Sequence, residues 1–485
     1  MAAARLGTRR LSPLDARSHR LGPARDHDAG RQMSFLLPAL MLVGLAAALF
    51  SGLPVAVVLI GVAFLFAGLG ILAGSVRIEE MGAIFHRVYG TLSDRDEVLY
   101  AAVPMLLFMG AVLHESRLAA DLLSGAARLF GRVRGGPALA TLAVAAIQAP
   151  AAGMVGASTG ALALYALPAL RRHGYGTQEA AGLVAAAGTL GVVAPPGIML
   201  FFVADAIGAQ VPALFLAMLG PLALLLALYF AYAVVRGSPR PVRENAEAVR
   251  AVDALVPALL MIGLVVIVAL GYATISEAAG LAGLGAVLAA VARGRMSWSA
   301  LDAAIRRTAL VSAMIFFIFV GASVFSLVFR LLGGQAMISA AAAALGYRGA
   351  LSLITAMSFV FVLGFFLDWL EIVVIALPAL ASALVAAGVG AQFGNAQLAA
   401  CWLGALFAVN LQTSFLTPPF GYALFLVHGA TGGAVTIPQV WRGALPYLVL
   451  QLVTLVAVAV IPELATWLPA QMLDLSVPKG PKFNE

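Results

Sequence analysis

The segment TLGVVAPPGIMLFF, from Thr189 to Phe202, decides how this chain folds, because QTSFLTPPFGYALF, from Gln412 to Phe425, repeats its plan. Each is an apolar run broken in its middle by a proline pair, Pro195-Pro196 in one and Pro418-Pro419 in the other. Proline has no N–H to donate and its ring clashes with the preceding turn, so such a pair frees backbone carbonyls. In hydrocarbon a freed carbonyl is costly, and irregular backbone survives there only against protein or a cavity. Upstream of each break lies a second matched element. GASTGALALYALPAL (Gly156 to Leu170) and FLDWLEIVVIALPAL (Phe366 to Leu380) end in the same ALPAL. Broken helices paired across two halves of a hydrophobic chain point to a secondary transporter with its site at the breaks.

Composition sets the solvent. The 485 residues are 62% hydrophobic and 11% charged, whereas a soluble domain carries about 25% charged residues. Many apolar runs reach the roughly 18 to 20 residues that cross a bilayer core. The expected fold is therefore an all-α polytopic membrane protein surrounded by a lipid bilayer. A β-barrel would show short alternating segments, and none is present. The net charge of +7 comes mainly from arginine; in this context it reads as the cytoplasmic bias of short loops rather than as a nucleic-acid surface. The one cysteine, Cys401, sits in an apolar run and reads as a packing residue. His86, His114, His173 and His428 are scattered. There is no zinc motif, phosphate-binding P-loop or nucleophile elbow, so no enzymatic activity is expected.

The chain divides into a basic disordered tail (1–33), N-terminal scaffold helices with an interfacial segment (34–97) and a first repeat (98–235). Basic loops around a central helix pair (236–308), a second repeat (309–468) and a polar tail (469–485) follow. In the first repeat, Ala138–Gln148 is too short to span. Gly153–Gly160 is a run of small residues and Ala161–Leu170 returns, which reads as a re-entrant hairpin. The second half keeps the order: FMGA at Phe108 matches FVGA at Phe319, and Pro212 and Pro221 are mirrored by Pro438 and Pro446. Counting crossings makes the repeats inverted.

The candidate ion and substrate ligands follow from the breaks. Gly188, Thr189 and Gly191 precede Pro195-Pro196; Asn410, Gln412, Thr413, Ser414 and Thr417 precede or adjoin Pro418-Pro419. Gly156, Ala157, Ser158 and Thr159 form the first hairpin tip, where hydroxyls and carbonyls suit Na⁺, though small residues also serve helix packing. Asp368 and Glu371 share a helix face inside an apolar stretch, and intramembrane carboxylates default to function. They also suit a structural salt bridge or an N-cap.

GMVGASTGALALYALPALRRHGYGTQEAAGLVAAAGTLGVVAPPGIML, LGFFLDWLEI and NLQTSFLTPPFGYALF resemble the large membrane subunit of tripartite ATP-independent periplasmic (TRAP) transporters, in the branch labelled mannitol/chloroaromatic. The resemblance covers roughly Phe35 to Leu468. It implies a multi-pass protein of the bacterial inner membrane, a small four-helix membrane subunit expected as a separate chain, and a periplasmic substrate-binding protein. It further implies Na⁺ as coupling ion, an organic anion (a carboxylate) as substrate, and a transport domain moving as an elevator against a scaffold. GAST replaces the family's commoner SGSS-type tip, which weakens the transfer of individual side-chain ligands. A stand-alone ion-coupled carboxylate carrier is the alternative.

Overall fold

The computed structural model describes residues 25–49, 51, 53–86, 89, 99–148, 155–237, 251–344, 349–365, 367, 369–418 and 421–473. Among them all regular structure is helical. An opening pair, α1 (Arg25–Leu49) and α2 (Val55–Leu72), precedes the first half. Helix α1 starts inside the stretch expected to be a disordered tail.

The first half runs α3 (Leu99–Glu115), α4 (Leu118–Phe130), α5 (Gly136–Gln148), α6 (Val155–Arg172), α7 (Thr177–Gly188), a 3₁₀ turn (Thr189–Val192), α8 (Ile198–Ile207) and α9 (Val211–Arg236). A central pair follows, α10 (Ala251–Ala269) and α11 (Ile275–Ala292). The second half runs α12 (Trp298–Leu331), α13 (Gly334–Ala344), α14 (Ala350–Leu363), α15 (Trp369–Ala386), α16 (Ala396–Ser414), α17 (Tyr422–Ala430) and α18 (Ile437–Val460). A last helix, α19 (Glu463–Met472), closes the described chain. From α3 to α9 and from α12 to α18 the elements correspond one for one.

Among the described residues six helices are long and apolar enough to cross a bilayer: Val55–Leu72, Val211–Arg236, Ile275–Ala292, Trp298–Leu331, Trp369–Ala386 and Ile437–Val460. Helices α5 and α14 are not. At 1.5 Å per residue they reach about 20 Å, against about 30 Å for a hydrocarbon core. Each is instead the first arm of a hairpin. The tip of the first hairpin differs from the sequence expectation: Val155 to Gly160 are already the first turns of α6. Gly156 there faces the Tyr422 hydroxyl closely, and packing outweighs glycine's weak helix propensity. In the second hairpin, α15 carries a π-helical turn at Ile372–Ala376. Pro378 lies just beyond it and has no N–H to give Val374 O.

Two apolar clusters organise the molecule. The smaller joins α1 and α2 to the second half of α12 through Met41, Leu59, Ala63, Phe325 and Val328. The larger holds both hairpins, both broken spans, α9 and α18. Helices α7 and α18 cross at Gly182 and Gly443, where a Cβ on Gly182 would lie 1.9 Å from the Gly443 carbonyl carbon. That contact brings the polar residues of α18 against the first break. At the charged end of the central pair, Arg295 in the loop after α11 pairs with the buried carboxylate of Asp121 on α4. The basic loop is thereby fastened to the amphipathic helix beside it.

Candidate functional site

The first broken span ends its leading helix at Gly188, tightens through a 3₁₀ turn, and restarts at Ile198. Pro195 and Pro196 have no N–H for Gly191 O and Val192 O, and a residue before proline avoids the α region. The helix therefore cannot continue, and it resumes only after Gly197, whose added Cβ would meet Gly191 O at 2.7 Å. The second broken span ends its leading helix at Ser414 and restarts at Tyr422. Here the loop closes on itself. Thr417 N–H donates to Ser414 O at 3.1 Å, Gly421 N–H to Thr417 O at 3.0 Å and Ala423 N–H to Phe415 O at 3.2 Å.

The first hairpin tip is fastened to the first break. Ser158 Oγ donates to Gly188 O at 2.7 Å, across 30 residues of sequence. Thr159 is fully buried, and a Cβ on Gly188 would lie 2.1 Å from Thr159 Oγ1. Thr159 Oγ1 itself has no hydrogen-bond partner among the described residues. Ala157 lies in the same helical turn. Gly156 opens towards Tyr422 on the second broken span, whose hydroxyl would lie 3.0 Å from an added Cβ. The Tyr422 side chain, from the start of α17, thus reaches the first turn of α6 from the opposite half of the chain.

The second hairpin rests on the second break in the same way. A Cβ on Gly364, at the end of α14, would lie 2.2 Å from Ser414 Oγ. Asn410 Nδ2 donates to Met357 O of α14 at 2.8 Å. Thr413 Oγ1 and Ser414 Oγ bond back to Asn410 O and Leu411 O at 2.6 and 2.7 Å, and Thr417 Oγ1 to Thr413 O at 2.9 Å. Glu371 is buried at the start of α15, one residue before the π turn. Asp368 and Pro419 lie outside the described residues. Asp205 is exposed in the last turn of α8.

The two breaks are joined by one hydroxyl. Thr189 Oγ1 donates to Ala186 O at 2.8 Å and accepts Gln412 Nε2 at 3.2 Å and Gln451 Nε2 at 3.3 Å. A threonine hydroxyl has one donor and two acceptor sites, so Thr189 is saturated. The Gln451 side chain also faces the Tyr229 hydroxyl, whereas Gln412 Oε1 is buried without a partner among the described residues. An acceptor oxygen left so in an apolar core is costly unless a donor or a cation meets it. Gln451 and Tyr422 were not among the residues singled out in the sequence. A lone amide inside LVLQLVTLV was the available signal.

The comparisons with known proteins agree with this architecture. Residues 42–464 match the family described as tripartite ATP-independent periplasmic transporter, DctM component. The chain is 28% identical to the C4-dicarboxylate TRAP transporter large permease protein DctM of Pseudomonas aeruginosa, over 76% of this chain and 85% of that one. It is 26% identical to the isethionate TRAP transporter permease protein DctMQ of Oleidesulfovibrio alaskensis, covering 81% of this chain and 60% of that one. The ectoine/5-hydroxyectoine TRAP transporter large permease protein UehC of Ruegeria pomeroyi is 24% identical, over 76% and 85%. The fold is like that of the Alcanivorax borkumensis YdaH transporter, with a TM-score of 0.53 at 14% identity, covering 80% of this chain and 91% of that one. Repeated hairpins, broken spans and a family match across most of the length agree: the chain belongs to the DctM-component family of tripartite ATP-independent periplasmic transporters, the large permeases of the bacterial inner membrane.

Proposed function

We propose that the chain is the permease of a Na⁺-coupled importer for an organic anion, a carboxylate. A periplasmic binding protein delivers the substrate, and a separate small four-helix subunit completes the membrane complex. The observation that carries this reading is the meeting of α6 and α17 at Gly156 and Tyr422. The N-terminal end of a helix carries partial positive charge and attracts anions. The start of α6, with the Tyr422 side chain beside it, would receive the substrate's carboxylate.

The coupling ion fits the oxygens beside it. Thr159 Oγ1 and Gln412 Oε1 are buried acceptors without a protein partner, and a hard cation takes oxygen ligands. Thr159 and Gln412 would hold Na⁺, with backbone carbonyls of the Gly188–Gly191 turn nearby. Bound there, the ion neutralises part of the substrate's charge and lends the energy of its gradient. Ser158 keeps the hairpin tip on the break. Glu371, buried one residue before the π turn, would be the second half's share of the site. The exchange of partners between halves, α17 on α6 and α8 on α15, is the pattern of inverted repeats, and it suits a transport domain moving as one elevator body against α1, α2 and α12.

Uptake into proteoliposomes holding this chain and its small subunit tests the reading. The binding protein and an inward Na⁺ gradient are added or withheld one at a time. Uptake that requires both is expected. Uptake without the binding protein would make the chain a stand-alone carrier, and uptake indifferent to Na⁺ would remove the coupling ion.

A further inference from the structure

We infer that Gln451, in the middle of the C-terminal span α18, is a positioning residue for the ion site and acts through the Thr189 hydroxyl. The inference rests on the Na⁺ reading above, and its test separates the two. Gln451 has no exposed surface, and its Nε2 donates to Thr189 Oγ1 at 3.3 Å. The same hydroxyl accepts from Gln412 and donates to Ala186 O, so its rotor has one setting that serves all three partners. Thr189 is the first residue of the 3₁₀ turn, immediately after Gly188. Gly188 O is the atom that Ser158 grips. Fixing the Thr189 side chain therefore fixes the turn on which the hairpin tip sits.

Gln451 is held in its turn. Tyr447, one helical turn earlier on α18, packs edge-on against Tyr229 of α9 with ring centroids 5.0 Å apart. Tyr229 is fully buried, and its hydroxyl interacts with the Gln451 side chain. The close crossing at Gly182 and Gly443 keeps α18 against α7. Gln412 Oε1 and Gln451 Oε1 each lie within about 6 Å of the Thr189 hydroxyl, since an amide's O and N are separated by two short bonds. Both amides direct a donor at one hydroxyl, which therefore orients them. The hydroxyl takes the Gln412 donor, so Gln412 Oε1 is the end left over for the ion, while Gln451 holds the hydroxyl in place. A span that carries no break of its own thereby controls the breaks of both halves.

The test is a double-mutant cycle on Gln451→Met and Thr189→Val, read as the Na⁺ concentration for half-maximal uptake. A second reading is the Na⁺-dependent rise in melting temperature of the purified protein, with K⁺ as control. Gln451→Met keeps the volume and removes both polar atoms. It should raise the half-maximal Na⁺ by about tenfold, as loss of one buried hydrogen bond to the site allows, with maximal uptake within about twofold. In the double variant the value should equal that of Thr189→Val alone, because the two act through one hydroxyl. Independent, multiplying effects would overturn the inference, as would an unchanged Na⁺ requirement in Gln451→Met. A wild-type protein with no Na⁺ response in either reading would instead overturn the coupling-ion proposal. If Gln451→Met does not reach the membrane, Gln451→Leu, which also lacks both polar atoms, goes through the same cycle with the same criteria.

Discussion

The two hairpins rest on the two breaks by the same close contact, but the residues have traded places. In the first half the glycine is on the broken span, Gly188, and the hydroxyl residue on the hairpin, Thr159. In the second half the glycine ends the hairpin's first arm, Gly364, and the hydroxyl residue is on the broken span, Ser414. The repeat preserves an approach between backbones, not a residue at a position. The hydroxyls differ as well. Ser414 Oγ spends its donor on Leu411 O, its own helix, whereas Thr159 Oγ1 is buried without a partner. The first site thus offers a side-chain oxygen that the second does not.

The largest effects test the shared approach. Gly188→Ala and Gly364→Ala would place a Cβ 2.1 and 2.2 Å from the facing oxygens. Such overlap forces backbone shifts that cost about 1–3 kcal/mol or more. Both variants should lose at least about 90% of uptake, since a shift of this size moves ligands out of reach. Transport rates normalised to protein in the membrane measure this, and a normal rate in either would deny that half its contact.

A swap sharpens the comparison further. Combining Gly364→Ala with Ser414→Gly removes both overlapping atoms and leaves Phe361 O at 3.5 Å as the nearest neighbour. Uptake should return in part, less about 1 kcal/mol of stability for glycine in a helix. Combining Gly188→Ala with Thr159→Gly leaves Thr159 Cα 2.7 Å away, so uptake should stay lost. Equal rescue in both halves would mean that the approach is not limited by backbone in the first.

The smaller effects test the unequal hydroxyls. Thr159→Val keeps the shape and removes the partnerless oxygen. The protein should be as stable as the wild type, or more so, in Na⁺-free buffer, because a costly buried polar atom is gone. Its half-maximal Na⁺ for uptake should rise by about tenfold. Ser414→Ala removes only a local back-bond and should change that value less than about twofold. Reversal of this order, read from Na⁺ titrations of uptake, would put the side-chain ligand in the second half.

Much of this was legible in the sequence because it rests on local chemistry. Proline pairs break helices wherever they fall, so Pro195-Pro196 and Pro418-Pro419 marked both breaks. Short apolar arms and the repeated ALPAL marked the hairpins, and charge poverty fixed the bilayer as solvent. Less legible was where each helix stops. The tip residues Gly156 to Thr159 are helical because packing against Gly188 and Tyr422 outweighs the coil preference of a small-residue run. The π turn in α15 has no counterpart in α6, although both arms carry the same ALPAL.

The sequence by itself determined that the chain crosses a membrane, that it is built from two halves, and where their backbone is broken. Hydrophobicity, period and proline geometry act over a few residues, and a single chain displays them. Only the tertiary structure decided which residues meet. Gln412 and Gln451 converge on Thr189 from 223 and 262 residues away, and Gly364 faces Ser414 where its counterpart Gly188 faces Thr159. Such pairings depend on how the helices cross, and crossings are set by the packing of whole faces rather than by any local motif.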